Sequence, residues 1–184
     1  LWIDERSVPL TAEWLSKYSL RRSELAGRRI EHVGELVADE DGAPDIAPWS
    51  VQQQALEALA STRLDGHRAG LVVMATGLGK TWLAAFDSAR PGIRRVLFIA
   101  HREEILKRSR DVFRMVRPGA TLTMFVGGEQ NPSGDVVFAS VQSLQRNLGR
   151  FDAADFDYIV VDEFHHAAAP TYRKVISHFR PRFL

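Results

Sequence analysis

Ala75-Thr76-Gly77-Leu78-Gly79-Lys80-Thr81 follows the apolar run Leu71-Val72-Val73-Met74 and precedes Trp82-Leu83-Ala84-Ala85-Phe86. The order predicts a buried strand, a glycine turn and the start of a helix. Such a junction binds phosphate, because the first N–H groups of a helix lack intrahelical partners and lie at the positive end of its dipole. Gly77 and Gly79 let the backbone curl closely around an anion. Lys80 offers a point charge to β- and γ-phosphates, and the Thr81 hydroxyl is placed to ligate the accompanying Mg²⁺. Met74 stands where the general phosphate-loop pattern has its first glycine. A plain glycine turn with an incidental lysine is the competing reading.

A second stretch argues against that competitor. Tyr158-Ile159-Val160-Val161 is an apolar strand that ends in two adjacent carboxylates, Asp162-Glu163, followed by Phe164-His165-His166. Burying charge costs several kcal/mol unless it is paired or coordinates a metal. Mg²⁺ arriving with a nucleotide supplies that partner. Asp162 can then hold the ion, directly or through water, while Glu163 orients and deprotonates an attacking water. His165 and His166 invite a zinc reading, but they are adjacent rather than one helical turn apart, and no cysteine assists them.

The 184 residues suffice for one domain with a core, and the 45% hydrophobic and 26% charged content is that of a soluble globular protein. The absence of cysteine excludes a disulfide framework, a thiolate zinc site and a cysteine nucleophile. A cytoplasmic location is expected and no membrane partner, since no apolar run approaches the ~20 residues that span a bilayer. The net charge of +1 is uninformative about partners, because nucleic-acid binding depends on where basic residues cluster. The sequence opens Leu1-Trp2-Ile3 without an initiator methionine and stops at Pro181-Arg182-Phe183-Leu184, where an apolar run starts. It is expected to be a piece of a longer protein.

Residues 1–38 form an upstream segment with mixed signals: Thr11 could cap a short helix, and Arg21-Arg22 and Arg28-Arg29 read better as solvated surface than as nucleic-acid contacts. Residues 39–47 are an acidic, turn-rich linker, and residues 48–184 the main domain. Ser50-Val51-Gln52-Gln53 has a capping-box pattern that opens an amphipathic helix ending near Leu64. The Gln52 amide near the start of that helix has a donor and an acceptor to offer an adenine edge. Arg95 to Ala100 is a continuously apolar strand of the kind buried on both faces of a parallel sheet. It leads into His101-Arg102 and a helix, so both residues lie where ligands meet the carboxyl ends of strands. A strand at 121–125 and another at 136–139 follow. Ser140-Val141-Gln142-Ser143 then opens a helix, where Ser140 and Gln142 suit backbone contacts to nucleic acid and suit helix capping equally well. A final helix runs from about Thr171 to Phe179.

With both motifs in place, residues 48–184 resemble the first RecA-like domain of superfamily 2 helicases of the DEAD/DEAH-like kind. Ala75 to Thr81 resembles motif I, which adds Thr76 and Leu78 to the nucleotide-binding set. Gln52 resembles the adenine-reading glutamine, Ala100 to Leu106 motif Ia, and Phe138 to Leu144 the segment that contacts the nucleic-acid backbone. Asp162-Glu163-Phe164-His165 is a variant of the Asp-Glu-x-His box. The run 162–172 is most similar to bacterial DNA helicases of the type III restriction (Res) subunit kind. Some of these carry a phospholipase-D-like nuclease domain upstream, which would make residues 1–38 its tail or linker; no His-x-Lys signature is visible.

The resemblance implies an α/β, RecA-like P-loop NTPase fold, a mostly parallel sheet with helices on both faces, truncated on the C-terminal side. It implies ATP and Mg²⁺ as cofactors, DNA as partner, and a second RecA-like domain carrying an arginine finger. Fingers are worth roughly 10³ to 10⁵ in rate, so the isolated piece is expected to be nearly inactive. The expected function is the ATP-binding half of a DNA helicase or translocase. An RNA helicase and a nucleotide-gated clamp without productive hydrolysis are the alternatives, and Glu163 argues against the clamp.

Overall fold

The runs at 96–100 and 136–140 become the two interior strands of a four-stranded sheet in which every ladder is parallel. The structure is a computed structural model. Of the chain's two units, Leu1–Asp45 and Ile46–Leu184, it describes the second, at residues 46–75, 77–162 and 170–184. The upstream segment, most of the acidic linker, Thr76, Glu163, His165 and His166 lie outside the described residues.

In chain order the elements are α1 (Ser50–Leu64), α2 (Lys80–Ser88), β1 (Val96–Ala100), α3 (Glu103–Val116), β2 (Leu122–Phe125), β3 (Val136–Ser140), α4 (Val141–Arg146), a short 3-10 turn (Leu148–Arg150), β4 (Tyr158–Val161) and α5 (Pro170–His178). The sheet order is β2-β3-β1-β4.

Alternation along each strand divides the core in two. Val96, Phe98, Ala100, Val136 and Phe138 face α1, α2 and α3, where they meet Leu59, Ala85, Leu106 and Phe113. Leu97, Ile99, Val137, Ala139 and Ile159 face α4 and α5, where they meet Leu144, Tyr172 and Val175. Both sets are apolar because both faces are covered, which is why these strands read as continuous rather than alternating runs. Phe113 locks α3 down by edge-on contacts with Phe98 and Phe138, at centroid distances of 5.7 and 5.2 Å.

The connections leave the sheet on opposite faces. β1 leads through α3 outward to β2, whereas β3 leads through α4 back past β1 to β4. A reversal of this kind opens a crevice at the carboxyl ends of the strands, where open α/β sheets bind their ligands.

Two local expectations are corrected. Residues 71–74 are not a buried strand: no ladder is formed there, and Leu71 and Val73 are 70% and 86% exposed. Apolar side chains favour a strand, but a strand is made by ladder bonds to a neighbour. The bonds of the preceding residues go to the chain's last residue, through Leu184 N–H to Arg68 O at 2.9 Å and Gly70 N–H to Leu184 O at 2.9 Å. Phe183 in turn bridges Tyr158 in parallel, so 183–184 lie between β4 and 68–70. The second correction is to the cap of α1. Trp49 is its N-cap, and Gln52 rather than Gln53 reaches back, its Oε1 accepting from Trp49 N–H at 2.9 Å. The expected strand at 121–125 forms as β2, buried at Thr123, Met124 and Phe125.

Candidate nucleotide site

The loop before α2 has the backbone its glycines permit. Gly77 and Gly79 adopt φ of 87° and 76°, a left-handed region costly for residues with a Cβ, and Gly79 is the N-cap of α2. A Cβ on Gly77 would meet nothing within 4 Å, so the loop is open on that side. The N–H groups of the first turn of α2 have no intrahelical acceptor. Lys80 Nζ turns back onto carbonyl oxygens of its own loop, Met74 O at 3.1 Å and, more loosely, Ala75 O at 3.5 Å. An exposed ammonium resting on neutral carbonyls gains by moving to a phosphate. Thr81 is half-buried in the first turn.

Gln52 has a structural task that its sequence position did not disclose. It is buried at 2% exposure, and its Nε2 donates to both Leu78 O and Gly79 O at 3.3 Å while Oε1 holds the cap of α1. The amide thus ties the start of α1 to the phosphate loop. Gly79 has no room for a side chain on this side, because a Cβ would collide with the Gln52 amide nitrogen. Gly79→Ala in the full-length protein is therefore expected to lose about 1–2 kcal/mol of stability from the left-handed backbone alone. It should also weaken ATP binding by displacing Gln52. Chemical denaturation and nucleotide titration measure the two effects, and wild-type values in both would refute the tie.

Register sets the remaining residues in a row. Ala100 pairs with Ser140 and Ile99 with Val161, and Asp162 N–H extends the ladder by donating to Ile99 O at 2.9 Å. Ser140, His101 and Asp162 thus follow or end three adjacent parallel strands at one edge. Arg102 is the exposed N-cap of α3, and Gln142 is exposed in the first turn of α4. The Ser140 hydroxyl is engaged in capping, accepting from Ser143 N–H at 3.2 Å and lying 2.9 Å from Ser143 Oγ. The distal basic residues of α3 include Lys107, which pairs with Glu103 at 3.0 Å on a solvated face.

The segment 68–70 lies two strand spacings from β4, with 183–184 between them. That spacing is about 10 Å, and both elements run in the same direction, so the loop that follows 74 and the carboxylate that follows β4 emerge on the same side of the sheet. Thr81 and Asp162 offer hard oxygen donors of the kind Mg²⁺ takes.

Residues 45–184 match the family described as type III restriction enzyme, res subunit. The chain belongs to this family. It is a superfamily 2 helicase ATP-binding domain with a RecA-like fold. Among its relatives, the Saccharomyces cerevisiae protein named ATP-dependent helicase IRC3 is 29% identical over 140 residues, covering 70% of this chain and 20% of the relative. The chain thus spans about a fifth of the length of that curated relative. A fragment of an HsdR subunit of a type I restriction enzyme from Vibrio vulnificus is 28% identical, with a TM-score of 0.56 over 77% of this chain and 26% of that one. The SWI2/SNF2 ATPase core of Sulfolobus solfataricus, solved with double-stranded DNA, has a TM-score of 0.62 at 17% identity, covering 78% of this chain and 32% of that one. Among the described residues, no helix is long and apolar enough to cross a membrane.

Proposed function

We propose that this chain is the ATP-binding half of a DNA helicase or translocase that couples Mg-ATP hydrolysis to movement on, or unwinding of, duplex DNA. The observation that supports it best is the shared edge: an open phosphate loop at the start of α2, with Asp162, His101 and Ser140 at the carboxyl ends of three parallel strands. In this reading the N–H groups of 76–81 cradle the phosphates, and Lys80 leaves Met74 O for the β- and γ-oxygens. Thr81 and Asp162 would hold Mg²⁺, which when bound neutralises charge on the transferred phosphoryl group. Glu163 takes the proton of the attacking water. Gln52 keeps the loop in register with α1 and presents its remaining hydrogen-bonding capacity to adenine.

Arg102, His101, Ser140 and Gln142 would contact nucleic-acid backbone along the same edge, so closing and reopening of the nucleotide cleft moves them. The Sulfolobus relative in fold was solved with duplex DNA, which supports this choice of partner. A second RecA-like domain in the full-length chain supplies the arginine finger, and an attached nuclease domain accords with the restriction family.

Phosphate release by the full-length gene product, with and without duplex DNA and with Glu163→Gln as blank, tests the reading. Strong stimulation by duplex DNA is expected. Stimulation by RNA alone, lost when 2′-hydroxyls are removed, would instead identify an RNA helicase. ATP-dependent retention on DNA without phosphate release would identify a clamp.

A further inference from the structure

Phe86-Asp87-Ser88 closes α2, and the Asp87 side chain is fully buried. A buried carboxylate needs partners, and it has them on three elements. Arg63, in the last turn of α1, grips it with both arms, Nη1 to Oδ1 at 3.0 Å and Nη2 to Oδ2 at 2.5 Å. Arg90, just past α2, stands 3.6 Å from Oδ1 and also reaches Leu56 O on α1 at 3.4 Å. The Tyr158 hydroxyl, at the start of β4, lies near enough to the same carboxylate for its charge to act on it. Burial pushes the Tyr158 pKa far above its ordinary value and the Asp87 charge adds to this, so the hydroxyl remains protonated throughout the working pH range. The Arg63 guanidinium lies 3.8 Å above the Phe183 ring and 5.6 Å from that of Tyr158.

The place of this cluster matters more than its composition. Lys80 opens α2 and Asp87 lies about two turns further on, roughly 10 Å along the helix. Tyr158 opens β4 and Asp162 follows its last residue, about 13 Å away along the strand. The cluster therefore joins the far ends of the two elements whose near ends carry the phosphate-loop lysine and the metal-site carboxylate. α1 is held at both ends as well, by Gln52 on Leu78 and Gly79 and by Arg63 on Asp87.

We propose that Arg63, Asp87 and Tyr158 are positioning residues for ATP hydrolysis, setting the register of α2 against β4 and thereby the spacing between Lys80-Thr81 and Asp162. The proposal rests on the reading of Lys80 and Asp162 as the nucleotide site. Catalytic groups must be held to a fraction of an ångström, so a small slip at the far end is felt in the chemical step. The loop that grips the phosphates is built locally and should survive such a slip.

Tyr158→Phe in the full-length protein is the sharpest test, because it keeps the ion pair and the aromatic packing and removes only the hydroxyl. With saturating duplex DNA, kcat is expected to fall roughly tenfold, while KM for ATP stays within about twofold. Asp87→Asn should fall further, and adding Tyr158→Phe to it should cost nothing more, since both act through one contact. If Asp87→Asn does not fold, Tyr158→Phe decides alone. Unchanged kcat with a lowered Tm would reduce the cluster to a structural tie and overturn the proposal, as would a raised KM with unchanged kcat. Lys80→Ala run in parallel separates the two levels. Full turnover in Lys80→Ala removes the nucleotide-site reading and the proposal with it; its loss there beside wild-type kcat in Tyr158→Phe overturns the proposal alone.

Discussion

Lys80→Ala in the full-length protein is expected to abolish measurable ATP binding. The Lys80 ammonium rests on Met74 O at 3.1 Å, an exposed and weak arrangement that costs little to give up. Against phosphate it makes charge-assisted hydrogen bonds, each worth roughly 1.5–3 kcal/mol. Losing two of them weakens binding by about 10² to 10⁴, since a factor of ten is about 1.4 kcal/mol. The fold should not suffer, because Lys80 is exposed at the start of α2 and surface replacements fall within about 0.5 kcal/mol. Titration with ATP by calorimetry, beside a melting curve, tests both halves. Wild-type affinity in Lys80→Ala would take the loop out of the nucleotide site.

Glu163→Gln should separate binding from chemistry. The replacement keeps size and hydrogen bonding while removing the basic carboxylate. ATP affinity is expected to hold within about twofold, while phosphate release with duplex DNA falls by roughly 10² to 10⁴, the usual worth of a positioned general base. The neighbouring Asp162 is fixed by its backbone bond to Ile99 at the end of the sheet, so the carboxylate proposed to hold Mg²⁺ stays in place when its neighbour changes. Single-turnover phosphate release is the measurement. Normal turnover would remove Glu163 from the mechanism and leave Asp162 as the carboxylate to test next.

Most of the fold was legible because its cues are local and strong. The runs at 96–100, 136–139 and 158–161 are apolar at consecutive positions, as strands covered on both faces must be, and all three entered the parallel sheet. The helix starts at 80, 103 and 141 followed from the residues preceding them. Legibility failed where a residue's fate depends on a partner far along the chain. Residues 71–74 are as apolar as β1, yet no ladder neighbour for them is among the described residues, and Leu71 and Val73 stand in solvent while Val72 packs against the core. Ser140 carried two readings, and the structure shows its capping bond; the bonds of Gln52 to Leu78 and Gly79 were not legible at all, since their partners lie 26 and 27 residues on.

The sequence by itself determined the RecA-like class and marked 75–81 and Asp162-Glu163 as the candidate phosphate loop and carboxylate pair, because each is a short pattern whose chemistry is carried by contiguous residues. Only the tertiary structure decided that Asp87 is a buried ion rather than a polar residue at a helix end. Its partners Arg63 and Tyr158 come from other elements, and no local periodicity marks them. A hydrogen bond or ion pair between distant segments exists only once packing has excluded water from around it. Packing is a property of the whole sheet and its helices, and no seven-residue window contains it.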